Sequence, residues 1–343
     1  MVEPGRPVVR VEGAARPPNA GEALIEVAGC GVCHTDLGFL DGDVPTRGEL
    51  PLVLGHEISG TVLEAGDGAT GWIGSDVLVP AVIPCGACEA CASGRPNVCT
   101  DQKLPGNNLN GGFATHITVP TTGLSVIGTV PEGHDLADLS VIADAVTTPL
   151  QAVTRAEVVA GDFVVVVGAG GIGTFATQIA AARGATVVVT DIDDSRLEPL
   201  LEHGAAAAIN VRDLSAYDVR EKVREHAKAF GMSRIGWKIF ECSGTPSGQE
   251  TAYGLLVPAA TLSVVGFTPK KVTIRLSNLM AFDAKAIGNW GCHPDLYPDA
   301  IELVTSGQVA LLPFTRKIPM SEINTVLDEA RQGSDPRRPI LVP

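Results

Sequence analysis

The feature that most constrains this chain is the run Phe163-Val164-Val165-Val166-Val167 passing directly into Gly168-Ala169-Gly170-Gly171-Ile172-Gly173. Five consecutive apolar residues that stop at a glycine turn read as a strand buried on both faces, which is the signature of a parallel sheet. A helical stretch (Ile172 to Arg183) and a second apolar strand (Thr186 to Thr190) follow, completing a βαβ unit. In Gly-x-Gly-x-x-Gly, Gly168 allows the tight turn, Gly170 lets the backbone approach a pyrophosphate, and Gly173 lets helix and strand pack closely. Gly171 and Ile172 open the helix, whose free N–H groups face the phosphates. Asp191 ends the next strand 18 residues after Gly173, where a carboxylate binds a ribose 2′-hydroxyl and repels a 2′-phosphate. NAD is therefore expected over NADP. Arg196, one turn into the following helix, would flank the adenosine ribose.

At 343 residues the chain exceeds one ordinary core, so two domains with a cleft between them are expected. Residues 1–150 are rich in Gly, Pro and Val and carry short alternating segments such as Ala23-Leu24-Ile25-Glu26-Val27 and Gly60-Thr61-Val62-Leu63-Glu64, which read as antiparallel strands. From about 151 the βαβ texture takes over, with further strands at Lys238 to Glu241 and Thr261 to Val265. The expected division is 1–150 with 287–343, against 151–286. The net charge of −14 speaks against a nucleic-acid partner. No apolar run reaches the length of a membrane span. The charged, proline-containing start MVEPGRPVVRVEG lacks the apolar centre of a secretory signal, so a cytoplasmic protein with reduced thiols is expected.

That expectation makes the eight cysteines metal ligands or buried thiols rather than disulfides. Cys85, Cys88, Cys91 and Cys99 form C-x2-C-x2-C-x7-C, a spacing able to close four thiolates around one tetrahedral zinc with no open position. Such a site is structural. An iron–sulfur run would place its fourth cysteine at x3 and follow it with proline, whereas Thr100 follows Cys99. A second set, Cys33 in Gly31-Val32-Cys33-His34-Thr35-Asp36 and His56-Glu57 in Gly55-His56-Glu57, combines donors that suit zinc with a position open to substrate. Spacing alone leaves this second set undecided.

These motifs, in this order, resemble the zinc-dependent medium-chain alcohol dehydrogenases over essentially the whole chain. The resemblance implies a GroES-like β-rich catalytic domain joined to a Rossmann domain with a doubly wound parallel sheet. It implies Cys33 and His56 as ligands of a catalytic zinc, Asp144 in Asp144-Ala145-Val146-Thr147-Thr148-Pro149 as the third ligand, and Glu57 as an alternative ligand or a carboxylate behind the ligands. His34 would face the NAD pyrophosphate, Thr35 would take the substrate proton, Val265 and Phe267 would bind the carboxamide, and Arg338 would reach the pyrophosphate. One departure concerns the proton's exit, because many relatives carry histidine where this chain has Gly38. A homo-oligomer is implied, without a choice between dimer and tetramer.

Four longer stretches, Pro105 to Asn108, Gly111 to His116, Trp237 to Gly244 and Leu276 to Asp283, resemble a branch of the family that oxidises a cyclic β-hydroxyacyl-CoA thioester with NAD in anaerobic benzoyl-CoA breakdown. An acyl-CoA partner is the expectation that follows. The implied product, a ketone and a thioester on one ring carbon, is open to water addition and ring opening at the same zinc with Glu57 as base. The alternatives are another cyclic or polyol secondary alcohol, and a non-catalytic nucleotide-binding protein.

Overall fold

The computed structural model describes residues 1–333 and 335–343. In the N-terminal part the alternating segments pair as antiparallel strands. β1 (Glu22–Gly31) is flanked by β2 (Glu57–Ala65), which pairs in turn with β3 (Asp76–Val79); β4 (His116–Pro120) also pairs with β1, and β5 (Ser125–Val126) pairs with β3.

The segments from Phe163 to Gly288 build a different sheet. β6 (Phe163–Val167), β7 (Thr186–Asp191), β8 (Ala205–Asn210), β9 (Lys238–Glu241), β10 (Thr261–Val264) and β11 (Lys285–Gly288) run parallel in the order β8-β7-β6-β9-β10-β11. Helices Gly171–Ala182, Asp194–Glu202, Ala216–Ala229 and Pro246–Gly254 connect them. All five side chains of β6 are buried, as a central strand covered on both faces requires. The strand order reverses between β6 and β9, the switch point at which such sheets bind ligands. Around that core, Phe163 meets Trp237 edge-on with ring centres 5.0 Å apart.

The chain then returns to the first sheet with β12 (Thr315–Pro319) and β13 (Arg338–Val342), giving the order β12-β13-β1-β2-β3-β5 with β4 beside β1. Two compact units result: Met1–Thr147 with Gly291–Thr305 and Leu311–Pro343, and Thr148–Trp290 with Ser306–Ala310. The second unit runs beyond 286 because β11 continues to Gly288. It also recruits Ala310, whose backbone N–H donates to Gln178 Oε1 at 2.8 Å and whose carbonyl accepts from Gln178 Nε2 at 3.2 Å. No helix among the described residues is long and apolar enough to cross a membrane.

Candidate active site and metal centres

Strand register brings distant residues to one end of the first sheet. Gly31, ending β1, stands opposite both Glu57 of β2 and Ile340 of β13. Cys33 follows β1, His56 precedes β2, and Arg338 opens β13. Asp144 arrives from the buried 3-10 stretch Ala137–Ala143, which presses so closely on β1 that a Cβ on Gly29 would lie 2.8 Å from the Ala137 side chain. Donor atoms of Cys33, His56, Glu57 and Asp144 all lie within 4.8 Å of one another. Cys33 Sγ is 3.8 Å from Asp144 Oδ2, and His56 Nε2 is 3.7 Å from the same oxygen. Cys33 Sγ also lies 3.6 Å from Thr35 Oγ1, which puts the expected proton acceptor beside the ligands.

Asp36, quoted within its motif but given no role by the sequence reading, proves central. Fully buried, it accepts from the Cys33 and Gly55 backbone N–H groups at 2.9 and 3.1 Å, and its Oδ1 lies 3.2 Å from His56 Nδ1. A carboxylate behind a histidine fixes which ring nitrogen faces a metal. Burial disfavours an imidazolium at His56, yet the Asp36 carboxylate and hydrogen bonds to Asp144, Asp36 and Cys33 hold its pKa well above the usual value. A cation held by this donor set would take the place of that proton.

Glu57 is engaged from behind. Its Oε2 accepts from Arg338 Nε at 2.8 Å and its Oε1 from Arg338 Nη2, with both residues buried. Burial pushes the Glu57 carboxyl up to about 7, with the Arg338 guanidinium pulling the other way. Gly31 makes room for this pair, since a Cβ there would collide with Glu57 Oε2. Arg338, expected at the cofactor pyrophosphate, commits Nε and Nη2 to Glu57.

Tyr297 is a second residue the sequence did not reveal. Buried, it donates its hydroxyl to the Ala143 carbonyl at 2.7 Å and accepts from Ala81 N–H at 3.2 Å. Thr147 Oγ1 donates to the same carbonyl at 3.0 Å. The peptide that carries Asp144 is thus held by two hydroxyls.

The four-cysteine loop closes as its spacing implied. Cys85, Cys88, Cys91 and Cys99 have sulfurs within 4.8 Å of one another, and Cys88 Sγ lies 3.6 Å from both Cys91 and Cys99 Sγ. Zinc–sulfur bonds of about 2.3 Å make a tetrahedron with edges of roughly 3.8 Å, so the loop fits the ion. Backbone N–H groups of Ala87 and Cys88 donate to Cys85 Sγ, and that of Cys85 to Cys99 Sγ, all at 3.3 to 3.4 Å.

In the second unit, Gly168 has φ of 96° and a Cβ there would sit 2.6 Å from Ser243 Cα, so only glycine fits. Gly170 has nothing within 4 Å of its Cβ direction, leaving the approach expected of a pyrophosphate open at the N-terminus of helix Gly171–Ala182. A Cβ on Gly173 would strike the Gly168 carbonyl. Asp191 ends β7 with Oδ2 accepting from Ala169 N–H at 2.6 Å and Oδ1 from the Ile192 and Asp193 N–H groups at 2.8 and 3.1 Å. Oδ2 retains a lone pair for a ribose hydroxyl. Arg196 lies half-buried, its Nε 3.9 Å from Asp193 Oδ2. Val265 follows β10 half-buried and Phe267 is exposed.

A closed four-thiolate loop, an open Cys-His-Asp cluster and a dinucleotide loop on a parallel sheet define a zinc-binding dehydrogenase. Residues 19–132 match the alcohol dehydrogenase GroES-like domain and residues 171–306 the zinc-binding dehydrogenase domain. The alcohol dehydrogenase of Geobacillus stearothermophilus is 30% identical over 326 residues, spanning 94% of this chain and 92% of its own length. The sorbitol dehydrogenase of Halalkalibacterium halodurans is also 30% identical, over 92% of this chain and 90% of its own. The crystal structure of the alcohol dehydrogenase from Aeropyrum pernix matches with a TM-score of 0.87 at 25% identity, covering 100% of this chain and 98% of its own. The chain belongs to the zinc-binding medium-chain alcohol dehydrogenase family, and it is an NAD-dependent zinc alcohol dehydrogenase.

Proposed function

We propose that the protein is a 6-hydroxycyclohex-1-ene-1-carbonyl-CoA dehydrogenase, oxidising that secondary alcohol to 6-oxocyclohex-1-ene-1-carbonyl-CoA in anaerobic benzoyl-CoA degradation. The four stretches Pro105 to Asn108, Gly111 to His116, Trp237 to Gly244 and Leu276 to Asp283 carry this reading. A charge feature supports it: on a chain of net charge −14, Lys270, Lys271, Arg275 and Lys285 are exposed and have no ion-pair partner among the described residues, which suits the phosphates of a CoA thioester.

In this reading Cys33, His56 and Asp144 hold the catalytic zinc. When bound, it supplies a Lewis acid that makes an alcohol more acidic, and NAD accepts the hydride. Thr35 takes the hydroxyl proton, and the onward path does not pass through position 38, which is glycine. Asp36 orients His56, while Arg338 pairs with Glu57 and would also reach the pyrophosphate beside His34. Val265 and Phe267 offer backbone groups to the carboxamide. Because Arg338 takes up both Glu57 oxygens, a water-adding, ring-opening activity gains little from Glu57 as base. Incubating the ketone with enzyme and finding no mass gain would remove that activity. We also propose a cytoplasmic homo-oligomer, for which the exposed Leu276 and Met280 and the unpaired edge of β11 are suited.

The test is NADH formation with the cyclic hydroxyacyl-CoA beside sorbitol and simple secondary alcohols. A kcat/KM at least a hundredfold higher for the thioester is expected. The 30% identity to a sorbitol dehydrogenase favours a polyol as the second reading, and a preference for sorbitol in the same assay would establish it.

A further inference from the structure

Glu241, the last residue of β9, is a buried carboxylate with no part in either metal centre. Register places it opposite Val167 of β6 and Val264 of β10, at the switch point of the parallel sheet. Its backbone carbonyl accepts from the Val265 and Gly266 N–H groups, both at 2.9 Å. Its Oε1 accepts from Ser243 N–H, Ser243 Oγ and Gly244 N–H at 2.8, 2.6 and 3.1 Å. Oε2 is turned toward the other loop. It is buried with no hydrogen-bond partner among the described residues, and a Cβ added to Gly266 would stand 2.8 Å from it. The same Cβ would stand 2.3 Å from Gly244 N, and one on Gly168 would stand 2.6 Å from Ser243 Cα. The glycine turn, the turn after β9 and the exit from β10 therefore pack as one ledge around this carboxylate. Glu241 has no ion-pair partner among the described residues. Burial raises its pKa, and the hydrogen bonds from Ser243 and Gly244 oppose that rise by favouring the ionised form.

A buried charge without a counter-ion is costly, and a ligand that brings the opposite charge lowers that cost. We propose that the Glu241 carboxylate, set under the Val265–Phe267 exit, is the counter-charge for the nicotinamide ring of NAD⁺ and so discriminates the oxidised cofactor from the reduced one. This builds on the reading that Val265 and Phe267 bind the carboxamide. The ring is positively charged in NAD⁺ and neutral in NADH, whereas adenosine, pyrophosphate and carboxamide are the same in both. Contacts to those shared parts hold the two forms alike; a fixed charge near the ring does not. With its Oε1 held by three donors, the carboxylate cannot turn away, and water does not screen it. Glu241 thus tightens NAD⁺ relative to NADH, which suits an enzyme that takes up the first and releases the second.

Dissociation constants of NAD⁺, NADH and 5′-AMP for the full zinc-loaded protein, measured by calorimetry, test this without turnover. Glu241→Gln keeps the size of the side chain and an acceptor for Ser243 and Gly244. It should raise the ratio of the NAD⁺ constant to the NADH constant by about tenfold or more and leave 5′-AMP unchanged. Glu241→Asp keeps the charge and should hold the ratio near that of wild type, even where both cofactors bind more weakly. A second route leaves Glu241 in place: Gln249→Lys brings an ammonium to the half-buried position from which Gln249 Nε2 donates to the Gly266 carbonyl at 3.5 Å, and should move the ratio in the same direction. An unmoved ratio in Glu241→Gln, or in Gln249→Lys where Glu241→Gln does not fold, would overturn the proposal. So would an equal loss of NAD⁺, NADH and 5′-AMP, which would make Glu241 a mere tie between turns. Gly266→Ala tests the carboxamide seat separately and should weaken NAD⁺ and NADH alike while sparing 5′-AMP. If it spares all three ligands, the seat is misplaced; if it weakens both cofactors while the Glu241→Gln ratio stays put, the charge effect alone is wrong.

Discussion

Individual side chains in the first unit are held by partners far away in the chain, and the cost of changing them follows from what each leaves unpaired. Tyr297→Phe removes one of two hydroxyls from the Ala143 carbonyl and the acceptor for Ala81 N–H, while the ring keeps its packing. We expect about 1–2 kcal/mol of lost stability. Because Ala143 precedes Asp144, a cobalt-substituted variant should also show shifted visible absorption bands and faster release of the catalytic metal, which a purely structural hydroxyl would leave alone. Gly31→Ala is harsher. Its Cβ would occupy the place of Glu57 Oε2 and force apart a buried Glu57–Arg338 pair, for which roughly 3–5 kcal/mol is the scale. Urea unfolding reads both, and a Gly31→Ala protein as stable as wild type would mean that the pair relocates freely.

Helix His34–Asp41 shows the same logic at the level of the element. Cys33 opens it, its N–H bonded to Asp36, and Gly42 with φ of 81° closes it. Gly38 stands in its interior, where glycine costs backbone entropy, and a Cβ there would meet only Val44 Cγ2 at 3.6 Å. Gly38→Ala should therefore raise stability by about 0.5–1 kcal/mol, seen as a higher thermal midpoint with unchanged zinc content. This helix also marks how far the elements were legible. The parallel sheet announced itself because β6 is apolar throughout and runs directly into the glycine turn Gly168 to Gly173, signals that lie next to each other in the chain. Strands β1 and β2 were visible by alternation, but their register was not, and that register alone sets Gly31 opposite Glu57 and carries Arg338 beside them from 281 residues away. The candidate metal ligands came from family resemblance, and the structure brings donor atoms of Cys33, His56, Glu57 and Asp144 within 4.8 Å of one another. Asp36 lay in plain view within the same motif and was missed because its role depends on His56 lying behind a turn that sequence does not show. Tyr297 gave no signal at all, being one apolar-looking position in a helix whose partners are two backbone groups.

At the scale of the whole molecule the two metal sites divide stability from chemistry. The four sulfurs of Cys85, Cys88, Cys91 and Cys99 close a loop with only short helical turns inside it, Glu89–Ala92 and Pro96–Val98, and with little buried apolar surface of its own. Such a loop owes its shape to the metal, whose binding free energy becomes folding free energy. The Cys33-His56-Asp144 cluster is instead held by hydrogen bonds that exist without an ion: Asp36 to His56, Arg338 to Glu57, Tyr297 to Ala143. Replacing a ligand in one site should therefore not resemble replacing a ligand in the other. His56→Ala is expected to purify folded with one zinc per chain, retain NAD binding, and lose turnover by at least a thousandfold. Cys91→Ala is expected to lower the unfolding midpoint by several degrees, because a structural zinc contributes several kcal/mol. At temperatures where it stays folded, it should keep turnover within tenfold. Metal analysis, calorimetric unfolding and NADH formation on the same three preparations distinguish the sites. Full activity in protein stripped of both metals would refute the division and the zinc chemistry with it.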